Sequence, residues 1–176
     1  SETDIPLVQD DSQPFDTNNP GTSDATGEVD VTIPAGTPLA RFATFAGDYP
    51  AGTDVDIFVY KNVSGVLHLA GVSAGGTATE TVTLRNPSGS YVLFVNVFAA
   101  PGGNGGALTV KPNVFVVPNS AAGNLTATPT SQSVTLGKPT TVTLNWSGLA
   151  SGRWLGIVNY SDGTSNIGST LVSITN

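Results

Sequence analysis

The chain has 176 residues, a net charge of −7, six Lys and Arg residues, and neither Cys nor Met. So few basic side chains argue against nucleic-acid binding, and the missing thiols exclude disulfides and thiolate metal sites. The longest apolar run, residues 91–100, is about half of the roughly 20 residues that a membrane-spanning helix needs, so no membrane span is expected.

The composition also indicates where the protein works. Residues 1–60 contain nearly all of the acidic side chains, and the rest of the chain is rich in Gly, Thr and Ser but poor in charge. Because Cys and Met are the side chains that oxidise most easily, their absence suits an extracellular, secreted protein, and the lack of disulfides favours a bacterial one. The chain starts without an initiator Met or a signal peptide, so we interpret it as a piece of a longer polypeptide.

In chain order, residues 1–27 are rich in Asp, Asn, Pro, Ser and Thr, and we expect an extended, partly ordered lead-in. From residue 28 the chain alternates between β runs and turns. Pro-Ala-Gly-Thr occurs at residues 34–37 and again at 50–53, and Pro at the second turn position with Gly at the fourth predicts type I turns. Strands over residues 39–46 and 54–61 follow these turns.

Residues 86–89, Asn-Pro-Ser-Gly, predict a third turn that closes an antiparallel hairpin between strands at 79–85 and 90–98. Residues 91–98 are apolar at nearly every position, which indicates a central strand covered on both faces. In residues 53–60 the apolar side chains recur with a period of two, and the opposite face of that strand starts with Asp54 and Asp56 and ends with aromatic rings. The last strands of this part are predicted at 108–111 and 114–117.

A short linker at residues 119–123 precedes a second β region. Its strands are predicted at residues 125–128, 133–136, 140–146, 154–160 and 167–174. No segment shows sustained helical periodicity, so the sequence predicts an all-β fold: an antiparallel β-sandwich or jelly roll followed by a smaller β-sandwich-like unit. The expected organisation is a lead-in at 1–27, a jelly-roll-like domain at 28–118 and the smaller unit at 119–176.

Four short motifs carry a family resemblance: VTIPAGT at residues 31–37, ARF at 40–42, DVDIFVY at 54–60 and GSY at 89–91. Together they resemble the C-terminal modules of secreted bacterial subtilisin-like serine proteases, which are similar to pre-peptidase C-terminal domains. In that family an Asp-x-Asp-Leu-Tyr-Val-Tyr strand and a Gly-Thr-Tyr turn frame a jelly roll. Here Ile57 and Phe58 replace the usual Leu and Tyr, and Ser90 replaces Thr. The segments at 146–149, 160–163 and 168–172 resemble the terminal β unit of actinobacterial members.

The resemblance implies a non-catalytic accessory module that assists substrate or surface binding, or the stability, of a parent serine endopeptidase. Its partners would be the parent's catalytic domain and an extracellular protein or polysaccharide surface. The family's catalytic motifs, His-Gly-Thr-x-x-x-Gly and Gly-Thr-Ser-x-Ala-x-Pro, do not occur in this chain. The alternative is a carbohydrate- or matrix-binding β module of another extracellular enzyme.

The only His, His68, lies between apolar neighbours on a predicted strand, and no Ser occupies a Gly-x-Ser-x-Gly elbow. A serine triad needs Ser, His and carboxylate side chains within hydrogen-bond reach. We therefore interpret His68 as a surface or edge-strand residue, and we expect no catalytic residue in this chain.

Asp48, Asp54 and Asp56 are candidate ligands for calcium, which binds six to eight oxygens. Against this interpretation, the chain contains no Asp-x-Asp-x-Asp-Gly loop, and Asp residues also serve solubility and turn capping. No other cofactor is predicted.

Four aromatic residues are candidates for a ligand-binding platform: Tyr49, Trp146, Trp154 and Tyr160. Aromatic rings also form the usual core of a β-sandwich. The alternation of residues 140–146 places Trp146 on the same face as Val142 and Leu144, which predicts that it points inward. Trp154, which follows Arg153 at a strand start, is the better candidate for an exposed ring that binds a ligand.

Overall fold

The computed structural model describes residues 1–21 and 23–176 and divides them into two compact units, Ser1–Val116 and Val117–Asn176. The described residues form thirteen strands and one short 3-10 helix, Ala46–Asp48, and they contain no α-helix. The prediction of an all-β fold is therefore confirmed. None of the helices in the described part of the chain has the length and apolar character needed to cross a membrane.

The first unit contains nine strands: β1 (Ile5–Val8), β2 (Thr26–Ile33), β3 (Leu39–Thr44), β4 (Asp54–Val63), β5 (Val66–Ser73), β6 (Glu80–Arg85), β7 (Gly89–Ala99), β8 (Ala107–Val110) and β9 (Asn113–Val117). Four of them form one sheet in the order β2-β7-β4-β5, and three form a second sheet in the order β6-β3-β9. Strands β1 and β8 form an additional antiparallel pair.

The core of the first unit lies between these sheets. Ile57 of β4 and Leu93 of β7 are fully buried in one apolar cluster together with Phe42 of β3 and Val82 of β6. Because side chains alternate across a strand, each sheet contributes every second residue to this layer. The first unit is therefore an antiparallel, sandwich-like arrangement.

Strands β4 and β7 occupy the centre of the larger sheet, and their sequences explain this position. Every residue of β7 from Tyr91 to Val97 is buried, which confirms the prediction of a strand covered on both faces. In β4, Val55, Ile57 and Val59 point into the core, whereas Phe58 and Tyr60 belong to a second apolar cluster on the opposite face. We call that opposite face of the four-stranded sheet the outer face.

Two predicted turns form with a different register. The Thr37 N–H donates to the Pro34 carbonyl, and the Thr53 N–H donates to the Pro50 carbonyl, so each Pro occupies the first turn position. The third position is a Gly with a φ near +80° in both turns, as a type II turn requires. The prediction of type I turns with Pro at the second position is therefore wrong, because Gly can adopt a backbone conformation that the other residues avoid.

The predicted hairpin between residues 79–85 and 90–98 is also wrong. Strand β6 pairs with β3, whereas β7 pairs with β2 and β4, so the connection at residues 86–88 passes from one sheet to the other. A tight hairpin does form between β4 and β5, where Val63 pairs with Val66. Its two loop residues, Ser64 and Gly65, both have positive φ, as a type I′ turn requires.

The predicted lead-in contributes to the first unit. Ile5–Val8 is strand β1, which pairs with β8, and Phe15 packs against the outer face. Thr22, within the same predicted segment, lies outside the described residues. The boundary between the two units falls at Val116 and Val117, whereas the sequence places it between residues 118 and 119.

The second unit contains four strands: β10 (Leu125–Thr128), β11 (Thr143–Trp146), β12 (Arg153–Ser161) and β13 (Asn166–Thr175). They form two antiparallel pairs, β10 with β11 and β12 with β13. Strand β10 contacts β12, since a Cβ built on Gly156 would lie 2.8 Å from Leu125 Cδ2. The strand predicted at residues 133–136 does not form, and the side chains of Val134 and Leu136 are exposed.

Candidate functional site

Three acidic side chains interact at one end of the first unit. Asp54 and Asp56 lie at the start of β4, and Glu80 is the first residue of β6. Glu80 is only 4% exposed, and it accepts hydrogen bonds from the Ser73 hydroxyl and from the Gly75 N–H, the latter at 2.8 Å. We call Asp54, Asp56 and Glu80 the carboxylate cluster.

The cluster shifts the ionisation of its two Asp residues. Burial raises the pKa of Asp56 to about 6, and the negative charges of Asp54 and Glu80 add to this effect. Burial and the charge of Glu80 also raise the pKa of Asp54. Both effects disfavour the charged carboxylate, so the cluster can take up a proton under mildly acidic conditions.

The arrangement provides little support for a metal site. Over the described residues, no group of three or more His, Cys, Asp and Glu side chains is placed to hold a metal ion. Strand alternation directs Asp56 to the outer face, whereas Glu80 lies on the same face of β6 as the core residue Val82. Asp48 ends the 3-10 helix and is half-buried. Calcium binding by Asp48, Asp54 and Asp56 therefore stays a prediction.

The second feature is an aromatic cluster on the outer face. Phe58, Tyr60, Val92 and Phe94 are buried there, and Phe15 from the N-terminal segment packs on them. The rings of Phe15 and Phe58 are stacked, with centroids 3.8 Å apart and planes 14° apart. The Tyr60 ring meets the edge of Phe94 at 5.6 Å, and its hydroxyl donates to the Thr17 carbonyl at 2.9 Å.

The four aromatic residues proposed as a platform have different environments. Tyr49 is buried in the first unit, and its hydroxyl accepts a hydrogen bond from the Lys111 N–H at 2.9 Å. Trp146 is 50% exposed, so the prediction that it points inward is wrong. The reason is that β11 belongs to a two-stranded sheet with little cover over either face. Tyr160 is half-buried and shares a hydrogen bond with the Thr170 hydroxyl.

Trp154 is 40% exposed, as an exposed binding ring requires. Its indole N–H donates to the Ala150 carbonyl at 3.0 Å, which fixes the orientation of the ring. The register of β12 and β13 places Trp154 directly opposite Ile174, whose side chain is buried. The residue can therefore both present a ring to solvent and cover the apolar interior of the second unit.

His68 lies exposed on β5, an edge strand of the four-stranded sheet, opposite Lys61. The interpretation as an edge-strand surface residue is confirmed. A cation as the cross-strand neighbour cannot orient an imidazole as a general base, which requires an acceptor such as a carboxylate.

Sequence reasoning missed two residues of these features. Glu80 shares its strand face with Val82 and Leu84, and an acid on an apolar strand face is a signal for a buried carboxylate. Phe15 is the only aromatic residue among residues 1–27, which is a signal for an anchoring side chain in an otherwise polar segment.

Comparison with models of known protein families gives no match, and comparison with curated proteins finds no relative of this chain. The functional argument therefore depends on the residues themselves.

Proposed function

We propose that this chain is a non-catalytic accessory module of a secreted subtilisin-like serine protease, and that it assists substrate or surface binding or the stability of its parent enzyme. The observation that supports the proposal is the position of the motifs that carry the resemblance. Residues 54–60 lie in β4 and residues 89–91 open β7, the two central strands of the larger sheet. The residues that carry the resemblance therefore lie in the central strands, as expected if their role is to maintain the fold of a non-catalytic module.

The proposal is tested first in the gene. We expect the same open reading frame to encode a subtilisin-like catalytic domain upstream of Ser1. If it does, the parent enzyme is compared with a variant that lacks residues 1–176. Cleavage of a short soluble peptide should be unchanged, while cleavage of an insoluble protein substrate or the melting temperature of the enzyme should fall. A reading frame without such a catalytic domain would contradict the proposal.

A second candidate function is binding to an insoluble polysaccharide or matrix protein through the second unit, which the exposed ring of Trp154 favours. The test is retention of the chain on chitin, cellulose and collagen, with Trp154→Ala compared with wild type. Because Trp154 lies opposite buried Ile174, circular dichroism must show that the variant is folded. Retention that the substitution does not reduce would exclude this residue as the binding group.

Calcium binding is a further part of the proposal that melting experiments can test. An ion that binds only the folded state raises the melting temperature, and a chelator reverses the effect. If Asp48, Asp54 and Asp56 bind calcium, Asp54→Asn should abolish the response. A melting temperature that neither calcium nor chelator changes would contradict calcium binding by this chain.

A further inference from the structure

The register of the four-stranded sheet defines four rows of side chains on the outer face. Two rows are apolar in their central positions: Phe94 with Phe58, and Val92 with Tyr60. Along the strand direction, one polar row lies on each side of this apolar pair of rows. One contains Thr26, Asn96 and Asp56, and the other contains Thr32, Ser90 and Asn62.

Phe15 occupies the middle of this surface. Its ring stacks on Phe58 at 3.8 Å and approaches Phe94 at 6.1 Å in a tilted arrangement. The outer face therefore already holds one flat six-membered ring, and the chain itself supplies it. The geometry shows that a ring of this size fits against Phe58 without rearrangement of the sheet.

The segment that carries Phe15, residues 10–21, is called the strap. Gln9, the residue before the strap, is held by two hydrogen bonds. Its side-chain oxygen accepts from the Ala100 N–H at 2.7 Å, and its backbone N–H donates to the Gly106 carbonyl. Residues 11–14 and 16–19 are exposed. Several of the hydrogen bonds described within the strap are local, such as those from Ser12 to Asp10 and from Asn18 to Asp16.

Three described contacts hold the middle of the strap against the sheet. These are the Phe15 ring, the hydrogen bond from the Tyr60 hydroxyl to the Thr17 carbonyl, and the close approach of Gly21 to Phe94, where a Cβ would lie 3.1 Å from Cε1. A segment with a fixed end, exposed residues and local internal bonds can lift without disturbing the strands. Lifting would uncover Phe58 and release the Tyr60 hydroxyl.

The chemistry of the rows indicates the kind of ligand. The outer-face positions of β2, β7 and β4 around the aromatic cluster carry hydroxyls, amides and the carboxylates of Glu28, Asp30 and Asp56. Those of β5 are the apolar side chains of Leu67, Leu69 and Val72, and none of the outer-face positions is Lys or Arg. A surface without cations disfavours phosphate and other anions. A flat apolar ring contact that is bordered by hydroxyl, amide and carboxylate groups on three strands and by aliphatic side chains on β5 is suited to a neutral ring with apolar faces and hydroxyl groups at its edge.

We propose that the outer face beneath the strap is a binding site for the sugar rings of a neutral polysaccharide, and that Phe15 closes it by occupying the ring position. Phe58 supplies the stacking surface and Tyr60 a hydrogen-bonding hydroxyl. The site is in the first unit, so it is separate from Trp154 and does not depend on the identity of the parent enzyme.

The experiment measures binding of cellohexaose, laminarihexaose and chitohexaose to the full chain by calorimetry, in wild type and in Phe15→Ala. A site that is open only part of the time binds with an apparent affinity reduced by its open fraction. Removal of the Phe15 ring should therefore tighten binding of at least one hexasaccharide by about ten-fold. The added substitution Tyr60→Phe, which keeps the aromatic ring, should weaken it again.

Phe98→Ala is the matched control, because Phe98 is an exposed Phe of the same sheet at a bulge outside the four rows. It should leave affinity unchanged. In wild type, saturating hexasaccharide should also speed amide hydrogen exchange in residues 11–21, since the ligand displaces the strap.

The proposal is overturned if folded Phe15→Ala binds all three hexasaccharides no better than wild type, or if ligand slows exchange in the strap. Tight binding of an oligolysine peptide in place of the sugars would likewise overturn it, since the three carboxylates would then be selecting a cation. Failure of these tests would leave the protease proposal unaffected, because that proposal depends on the gene.

Discussion

Asp56 is the side chain whose ionisation is most strongly affected by its surroundings. Burial and the charges of Asp54 and Glu80 raise its pKa to about 6. A carboxyl whose pKa is higher in the folded state than in the unfolded state stabilises the fold at low pH. That stabilisation is complete below the ordinary pKa of 3.8 and is lost as pH rises through about 6.

Asp56→Asn should therefore stabilise the first unit at pH 7.5 and have little effect at pH 3.5. A pKa displaced from 3.8 to about 6 corresponds to about 3 kcal/mol in the free energy of unfolding for a fully buried carboxyl group. Because Asp56 is partly exposed, solvent screening should reduce the gain to about 1 kcal/mol, or about 3 °C in melting temperature.

Thermal melts of the variant and of wild type at both pH values check this prediction. The lowered pKa values of Asp10 and Asp162, which act in the opposite direction, are common to both proteins and cancel in the difference. An equal difference at the two pH values would contradict the assignment to ionisation.

Glu80→Gln tests the electrostatic connection within the carboxylate cluster. Removing the charge of Glu80 should lower the pKa of Asp56, although burial and Asp54 should still hold it above 3.8. The measurement is an NMR titration of the Asp56 side-chain carbon. Glu28→Gln is the control, since Glu28 lies on the same sheet but does not contribute to the shift. A titration curve that Glu80→Gln leaves unchanged would contradict the prediction.

At the scale of elements, β5 and β6 approach each other closely although they belong to different sheets. The point of contact is Gly71, where an added Cβ would lie 2.5 Å from Val82 Cγ1. Gly71→Ala should destabilise the first unit by about 1–3 kcal/mol, because a methyl group forced into a packed interior displaces its neighbours. Urea unfolding measures the change.

Two further variants make the test specific. Gly76→Ala, with open space around the new methyl group, should cost much less. The double variant with Val82→Ala should be less destabilised than the sum of the two single variants, because the second change removes the clash. Additive effects would show that the close approach has no energetic consequence.

The elements also show what could be predicted from the sequence. Strands β4 and β7 could be predicted from their sequence patterns. The period of two in β4 indicates a strand with two different faces, and the continuous apolar run in β7 indicates a strand that is buried on both faces. The pairing of β6 could not be predicted, because Asn86–Gly89 is compatible both with a hairpin and with a crossing between sheets.

The candidate sites show the same limit. The spacing of Asp54 and Asp56 indicates a pair of carboxylates on one strand face, but Glu80, which raises the pKa of both, is distant in sequence and comes close only through the packing of β6. The stacking of Phe15 on Phe58 is likewise a contact between a polar segment and a strand far along the chain. Such long-range contacts leave no periodic signal in a single sequence.

At the scale of the whole molecule, the two units differ in how much apolar surface they bury. The core of the first unit contains many buried side chains from eight of its nine strands and from the segments between them. In the second unit, Val117–Asn176, the buried apolar side chains are those of Val117, which is the last residue of β9, and Ile174. A domain of about 60 residues is only marginally stable even when it is well packed.

The second unit should therefore unfold at a lower urea concentration than the first, and its amides should exchange hydrogen faster. Ile174→Ala should destabilise the second unit by about 2–4 kcal/mol and leave exchange in β4 and β7 unchanged. Val59→Ala, which removes a buried side chain of the larger sheet, is the reciprocal variant, and it should affect the first unit alone. Hydrogen exchange monitored by mass spectrometry resolves both units in one experiment. Equal protection across the chain, or loss of protection in both units after either substitution, would show that the chain unfolds as one cooperative body, in which case the sparse interior of the second unit would not limit its stability.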